Sequence, residues 1–161
     1  MKNLTKKFNI VDIKLTEFMA KYGLQLLRIS IGIIFFWFGI LKFFPGLSPA
    51  QNLAIRTIDI IAFGLIPQNI SIIILAFWEV LIGLGLFWGK FMRFVLFLLF
   101  LQMIGTFTPI LFFPNEVFSR IPYAPTLEGQ YIIKNLILIS AGIVLGTTVR
   151  GGKIIFSENK S

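Results

Sequence analysis

Cysteine and histidine are both absent from this sequence of 161 residues, and only 14% of its residues are charged. Without thiols and imidazoles the chain has no disulfides, no thiol redox chemistry, no imidazole catalysis and none of the commonest zinc, haem and iron–sulfur ligands. We therefore expect no metal site and no stand-alone enzyme. Any redox role has to take its cofactor chemistry from elsewhere.

Apolar residues dominate instead: 57% of the chain is hydrophobic, with 19 phenylalanines and a mean hydropathy of +0.88. They stand in continuous runs rather than in the spaced stripes of soluble amphipathic helices. One soluble core cannot bury that much apolar surface, so a lipid bilayer is the expected solvent. The net charge of +8 comes from cations beside the apolar runs, which indicates contact with anionic lipid headgroups and no nucleic-acid binding.

Four segments approach the roughly 20 apolar residues that a helix needs to cross the hydrocarbon. They cover residues 24–44, 71–88, 94–113 and 131–149. The predicted fold is all-α, an integral membrane four-helix bundle that forms one membrane domain over residues 1–161.

Lysines and arginines outside these spans are distributed unequally. Ten lie in the N-terminal arm, the turn between the second and third spans and the C-terminal tail, whereas the other two loops hold only Arg56 and Arg120. Because positively charged loops stay cytoplasmic, we predict a multi-pass protein of the cell (inner) membrane with both termini in the cytoplasm.

Two further helices are predicted outside the spans. Apolar residues recur at helical spacing over residues 8–22, which indicates an N-terminal interfacial helix at the headgroup boundary, or alternatively a continuation of the first span. Ser48, Pro49 and Gln51 predict a helix start with Ser48 as N-cap, and that helix extends to about residue 66. It is short for a span, so we interpret it as an outer-side or half-inserted helix, with a fifth span as the alternative.

Proline interrupts the third span near its end. Pro109 predicts a kink because it frees the carbonyl of Gly105, four residues earlier. The hydroxyl of Thr106 or Thr108 is expected to satisfy that carbonyl.

Ionisable residues inside the hydrocarbon are costly and are therefore functional candidates. On the first span, one narrow helical stripe contains Gly32 and Gly39, small residues that allow close helix packing, and Gly83 lies one turn from the only acidic residue within the spans. The candidate polar residues are Arg28, Lys42, Glu79, Gln102, Lys134 and Asn135.

Two interpretations of these charges remain open, because one carboxylate cannot neutralise three cations. In the first, Arg28 and Lys42 extend to opposite headgroup layers while Glu79 pairs with Lys134 or is protonated. In the second, Lys42, Glu79, Lys134 and Asn135 line an outward-opening pocket for an anion or for quinone carbonyl oxygens. Trp37 and Trp78 would form walls of that pocket, or serve as ordinary lipid-facing or packing aromatics.

Several of these strings resemble one family. RISIGIIFFWFGILKF (residues 28–43), WEVLIGLGLF (78–87) and PTLEGQYIIKNLILISAGIVLG (125–146) are similar to the DoxX-like membrane proteins, and TFTPILFFPNEVF (106–118) is similar to their YkgB-like branch. The outer loops are shorter than in that branch. The resemblance implies a four-helix inner-membrane bundle, and some relatives are subunits in quinone-linked sulfur oxidation or in membrane complexes tied to oxidative stress. It also implies that family polar positions correspond to Arg28, Gly39, Lys42, Glu79, Lys134 and Asn135.

The resulting hypothesis is an accessory, quinone-associated membrane subunit in a redox or oxidative-stress process. No cofactor motif is evident, although a quinone is compatible, and the expected partners are the bilayer and either a redox protein or further copies of the chain. A small transporter or proton- or anion-conducting bundle is the first alternative, since intramembrane Glu and Lys also serve proton relays. A structural membrane scaffold is the second.

Overall fold

A computed structural model describes residues 2–152, with side chains from residue 11 onward. Within these residues, four helices are long and apolar enough to cross a membrane. This confirms the all-α membrane bundle that the apolar runs predict. The four are α1 (Lys2–Leu41), α3 (Gln68–Trp88), α4 (Met92–Phe107) continued by α5 (Pro109–Phe112), and α7 (Leu127–Thr147).

Short elements cluster at one end of the bundle, which we call the hairpin end. They are α2 (Gln51–Ile61), α6 (Pro114–Val117) and an antiparallel pair of strands, β1 (Phe118–Arg120) and β2 (Ala124–Pro125). The two strands are not predicted from the amino-acid sequence. At the opposite end, which we call the Arg28 end, lie the α3–α4 turn and the last residues of α7.

The bundle buries only one face of each spanning helix. A core of Ile31 and Phe35 from α1, Ile82 and Leu86 from α3, and Leu99 from α4 is at most 4% exposed. Large apolar side chains on the other faces remain accessible, which suits helices whose outer solvent is lipid.

Glycines bring α1 and α3 into close contact. A Cβ atom at Gly39 would lie 2.9 Å from the Cβ of Glu79, and one at Gly83 would lie 2.6 Å from the backbone nitrogen of Phe36. A Cβ at Gly32 would lie 3.1 Å from the ring of Phe87. Because none of these glycines has a side chain, the two backbones approach one another along their length.

The separate interfacial helix is not formed, because α1 continues without interruption from Lys2 to Leu41. Forty residues give a helix of about 60 Å, twice the hydrocarbon thickness of roughly 30 Å. Every residue from 11 to 22 is exposed. The alternative, a continuation of the first span, is therefore the one that the structure has; no proline stands in this region to end the helix.

The outer-side helix is shorter than predicted and starts differently. α2 has Ala50, in the left-handed conformation at φ 54°, as its N-cap. Ser48 does not cap it; its hydroxyl donates instead to the carbonyl of Pro49. Phe63 and Gly64 take positive φ values and end the helical path before residue 66. An 11-residue helix is about 16 Å long, which rules out α2 as a fifth span.

Proline and threonine set the ends of the last two spans. α4 ends at Phe107, and the hydroxyl of Thr108 donates to the freed carbonyl of Gly105 at 2.6 Å. This confirms the predicted interruption at Pro109. α7 begins four residues before its predicted start because Thr126 caps it, accepting a hydrogen bond from the nitrogen of Gly129 at 3.1 Å.

Candidate functional site

Three polar side chains meet inside the bundle, one from the residue that follows α1, one from α3 and one from α4. The ammonium nitrogen of Lys42 lies 2.6 Å from Oε2 of Glu79, and the amide nitrogen of Gln102 donates to Oε1 of Glu79 at 2.7 Å. Glu79 and Gln102 are 7% and 8% exposed. We call Lys42, Glu79 and Gln102 the polar cluster.

Close packing of α1 on α3 allows the ion pair. Gly39 lies against Glu79, and Lys42 follows three residues later, directly after the last residue of α1. Its ammonium group therefore reaches back to the carboxylate and also donates to the carbonyl of Phe38 at 3.4 Å. A side chain at position 39 would separate the two helices and with them the two charges.

A second contact aligns α4 with α3. The indole nitrogen of Trp78 donates to the carbonyl of Leu98 at 3.2 Å. Gln102 lies one helical turn beyond Leu98, and Glu79 follows Trp78 directly in the chain, so this hydrogen bond holds Gln102 beside the carboxylate. Trp78 is thus a packing residue next to the polar cluster.

The polar cluster is electrically balanced but leaves hydrogen-bonding capacity unused. The charges of Lys42 and Glu79 cancel, and each carboxylate oxygen has one donor. The carbonyl oxygen Oε1 of Gln102 is buried without a partner among the described residues. A buried acceptor without a donor is costly, so this atom is suited to a hydroxyl group or a water that enters the bundle.

Other predicted site residues lie outside the polar cluster. Lys134 is exposed on α7, and within residues 11–152 no carboxylate lies within salt-bridge distance of it. The predicted pairing of Glu79 with Lys134 is therefore wrong, and so is the extension of Lys42 to the headgroups. Asn135 is half-buried. Trp37 is 65% exposed, on the outer surface of the bundle.

Arg28 is separate from the polar cluster. It precedes Gly39 by 11 residues, which is about 17 Å along the helix axis. Its guanidinium group packs against Gly89 at the end of α3. The two cations of the first span, Arg28 and Lys42, therefore lie in separate parts of the bundle.

An ion pair at the hairpin end was missed from the sequence. Arg56 of α2 pairs with Glu116 of α6, and its guanidinium carbon lies 4.7 Å from the ring centre of Phe113. From the sequence, Arg56 was notable only as one of the two cations in the two cation-poor loops. Sixty positions separate the two partners, and no periodic pattern links residues at that distance.

Neither the described residues nor their arrangement provide a metal site: residues 2–152 contain no group of three or more His, Cys, Asp or Glu side chains that could hold an ion. What the fold and the polar cluster define is a four-span α-helical membrane protein with an ion pair and an amide inside its bundle.

The family model of DoxX matches residues 23–113, and the chain belongs to the DoxX family. That match includes all three residues of the polar cluster and ends before Lys134. It does not distinguish branches of the family, so the YkgB-like branch stays a prediction. No curated protein and no solved structure gave a significant match.

Proposed function

We infer that this DoxX-family protein is an accessory membrane subunit of a redox process, in which the polar cluster receives the head group of a quinone. The observation that supports this is an ammonium, a carboxylate and an amide packed together between the membrane-spanning helices, with the Gln102 oxygen left without a donor. Polar groups at that depth persist when they are paired with one another or contact a ligand.

The chemistry of a quinone head group suits the polar cluster. A quinone carbonyl accepts hydrogen bonds, and an ammonium group has three donors, of which Lys42 uses two, toward Glu79 and Phe38. A hydroquinone hydroxyl donates, and Oε1 of Gln102 is an acceptor without a donor. The Glu79 carboxylate is a proton acceptor and the Lys42 ammonium a proton donor. These residues would orient the head group and exchange protons with it, while the quinone itself supplies the redox chemistry.

Electron transfer in this proposal is assigned to a partner protein. The chain has no cysteine and no histidine, so it lacks the side chains that most often ligate haem or iron–sulfur clusters. The membrane subunit would then place the quinone, and the partner would reduce or oxidise it.

A single-tryptophan reporter tests head-group binding directly. Trp37 and Trp88 are 65% and 73% exposed, so replacing both with Phe leaves Trp78, beside Glu79, as the only indole. In lipid nanodiscs, decylubiquinone should quench Trp78 with a saturable component. Gln102→Met removes the free acceptor at similar volume and should weaken that component about tenfold, the effect of one well-placed hydrogen bond.

Glu116→Gln is the matched control, because it changes an acidic residue of the other ion pair, outside the spans. It should leave the quenching unchanged. Two results would rule out the proposed binding site. The first is quenching that does not saturate and rises only in proportion to the quinone concentration in the lipid. The second is equal quenching in Gln102→Met and Glu116→Gln. In membranes, Glu79→Gln should lower quinone-dependent electron flow per amount of folded protein.

A structural scaffold is the second candidate, favoured by the direct pairing of Lys42 with both Glu79 and a backbone carbonyl. If the polar cluster only holds α1, α3 and α4 together, its variants change folding or assembly and leave quinone titrations unaltered in the protein that does fold. Conduction remains a third proposal from the sequence, and proton flux into liposomes that is lost in Glu79→Gln would favour it.

A further inference from the structure

A cleft of about 550 Å³ opens at the Arg28 end, between α1, α4 and the last residues of α7. Arg28 and Arg93 are the charged residues of its lining, and no acidic side chain takes part. Two cations that share a cleft repel one another, and this repulsion falls when an anion lies between them.

Arg28 has donors that the protein leaves unused. Its Nε atom is buried and has no hydrogen-bond partner among the described residues. Within the same part of the chain no carboxylate lies within salt-bridge distance of its guanidinium group. Glu79 is already paired and lies more than a dozen ångströms deeper in the bundle, at about 1.5 Å per residue along α1.

Gly89 fixes where the guanidinium group lies. This residue has a φ of +66°, and a Cβ atom built on it would overlap the terminal nitrogen of Arg28. The absence of a side chain at the end of α3 therefore leaves room for the guanidinium group beside the turn. The site is formed by the fold and does not depend on a long side chain moving freely at the surface.

We propose that this cleft binds the phosphate group of an anionic phospholipid. A planar guanidinium fork matches phosphate oxygens in a bidentate geometry, and Arg93 adds a second cation from the first turn of α4. The backbone N–H groups of Met92 and Arg93, at the start of that turn, have no side-chain cap and also favour an anion. Thr148 contributes no donor, because its hydroxyl already donates to the carbonyl of Leu145.

Apolar walls favour a lipid over free phosphate as the source of that group. Met92, Phe94, Leu145 and Val149 line the same cleft, and they provide contacts for the first carbons of acyl chains. The cleft also lies where α3 ends and α4 begins, at the level where two spans leave the hydrocarbon. Headgroup phosphates are concentrated at that level.

Native mass spectrometry of the full chain in detergent measures how tightly lipids bind at this site. Dioleoylphosphatidylglycerol should bind more tightly than dioleoylphosphatidylcholine, whose charge is balanced. Arg28→Gln should weaken phosphatidylglycerol binding about tenfold or more, the effect expected when a charge-assisted bidentate contact is lost. Arg93→Gln should weaken it less, because Arg93 is exposed.

Arg150→Gln is the matched control: it removes the same charge from an exposed residue that follows α7 and does not line the cleft. It should change binding by less than about twofold. Gly89→Ala keeps every charge but displaces the guanidinium group, and it should resemble Arg28→Gln.

Three results would overturn the proposal. The first is equal phosphatidylglycerol binding in Arg28→Gln and Arg150→Gln. The second is phosphatidylglycerol binding that is unchanged in Arg93→Gln. This result decides the question if Arg28→Gln and Gly89→Ala do not fold. The third is displacement of the lipid by inorganic phosphate, with inorganic phosphate alone binding in an Arg28-dependent way, which would make the cleft a site for soluble phosphate.

Discussion

Two ion pairs of similar chemistry lie in opposite environments in the described part of this protein. Lys42 and Glu79, inside the bundle, have side chains that are each 10% exposed, whereas Arg56 and Glu116, at the hairpin end, are 45% and 46% exposed. The buried pair is accompanied by Gln102 and two close-packed helices. The exposed pair joins two short helices across the surface.

Environment decides what each pair contributes. In a medium of low polarity a charge without its partner is strongly unfavourable, so the partners of the buried pair depend on each other. At an exposed site water and salt screen the same attraction, and either partner can be lost at little cost. The pair inside the membrane-spanning helices is therefore the one that constrains the fold. Four variants test this difference, beginning with the largest expected effect and ending with the smallest.

Lys42→Met should have the largest effect. It leaves the Glu79 carboxylate buried with only Gln102 as a partner, and removal of one member of a buried pair typically lowers the free energy of unfolding by about 3–5 kcal/mol. Reversible unfolding in mixed micelles measures the loss. A change as small as that of an exposed pair would show that the two environments do not differ as described.

Removing both charges should restore much of the stability that Lys42→Met loses. Lys42→Met combined with Glu79→Gln leaves no uncompensated charge, and we expect the double variant to lie within about 2 kcal/mol of the parent protein. Lys134→Met combined with Glu79→Gln is the control, because Lys134 does not contact the carboxylate. If the control recovers stability equally, Lys42 is not the specific partner of Glu79.

Gly39→Ala should have an intermediate effect. The added methyl group would lie 2.9 Å from both the Glu79 Cβ atom and the backbone nitrogen of Val80, so α1 and α3 have to move apart, at a cost of about 1–3 kcal/mol. Gly105→Ala is the matched control, since nothing lies within 4 Å of its Cβ position. Thermal unfolding followed by circular dichroism should separate the two, and equal midpoints would contradict close packing at Gly39.

Glu116→Gln should have the smallest effect. Breaking the exposed pair with Arg56 is expected to lower the free energy of unfolding by less than about 1 kcal/mol, and the difference should shrink in high salt. Unfolding at low and high salt measures both. A loss as large as that of Lys42→Met would mean that this pair, too, lies out of water in the membrane-bound protein.

Much of the fold is predictable because its signal is local. A run of apolar residues of sufficient length defines a span wherever it stands in the chain, and Pro109 interrupts α4 through its own missing N–H group. Boundaries are less predictable where tertiary contacts decide them. Ser48, Pro49 and Gln51 satisfy the local rule for a helix start, yet α2 begins after Ala50, with Ser48 buried in the fold.

The candidate site was predictable in its residues and not in their pairing. Position along a span sets how deep a residue lies, and Glu79 and Gln102 lie near the middles of the spans Gln68–Trp88 and Met92–Phe112. Depth alone does not determine which side chains of neighbouring helices face one another. Lys134 is a plausible partner by depth, but α7 turns it outward.

What the amino-acid sequence determined by itself is the solvent and the number of spans, because burial of long apolar runs in hydrocarbon depends on composition and length alone. The choice of Lys42 as the partner of Glu79, the approach of Gln102 and the isolation of Arg28 beside Gly89 were decided only by the tertiary structure. Each depends on the rotation of a helix about its axis and on how closely its neighbour packs, and these are set by the contacts of all helices together.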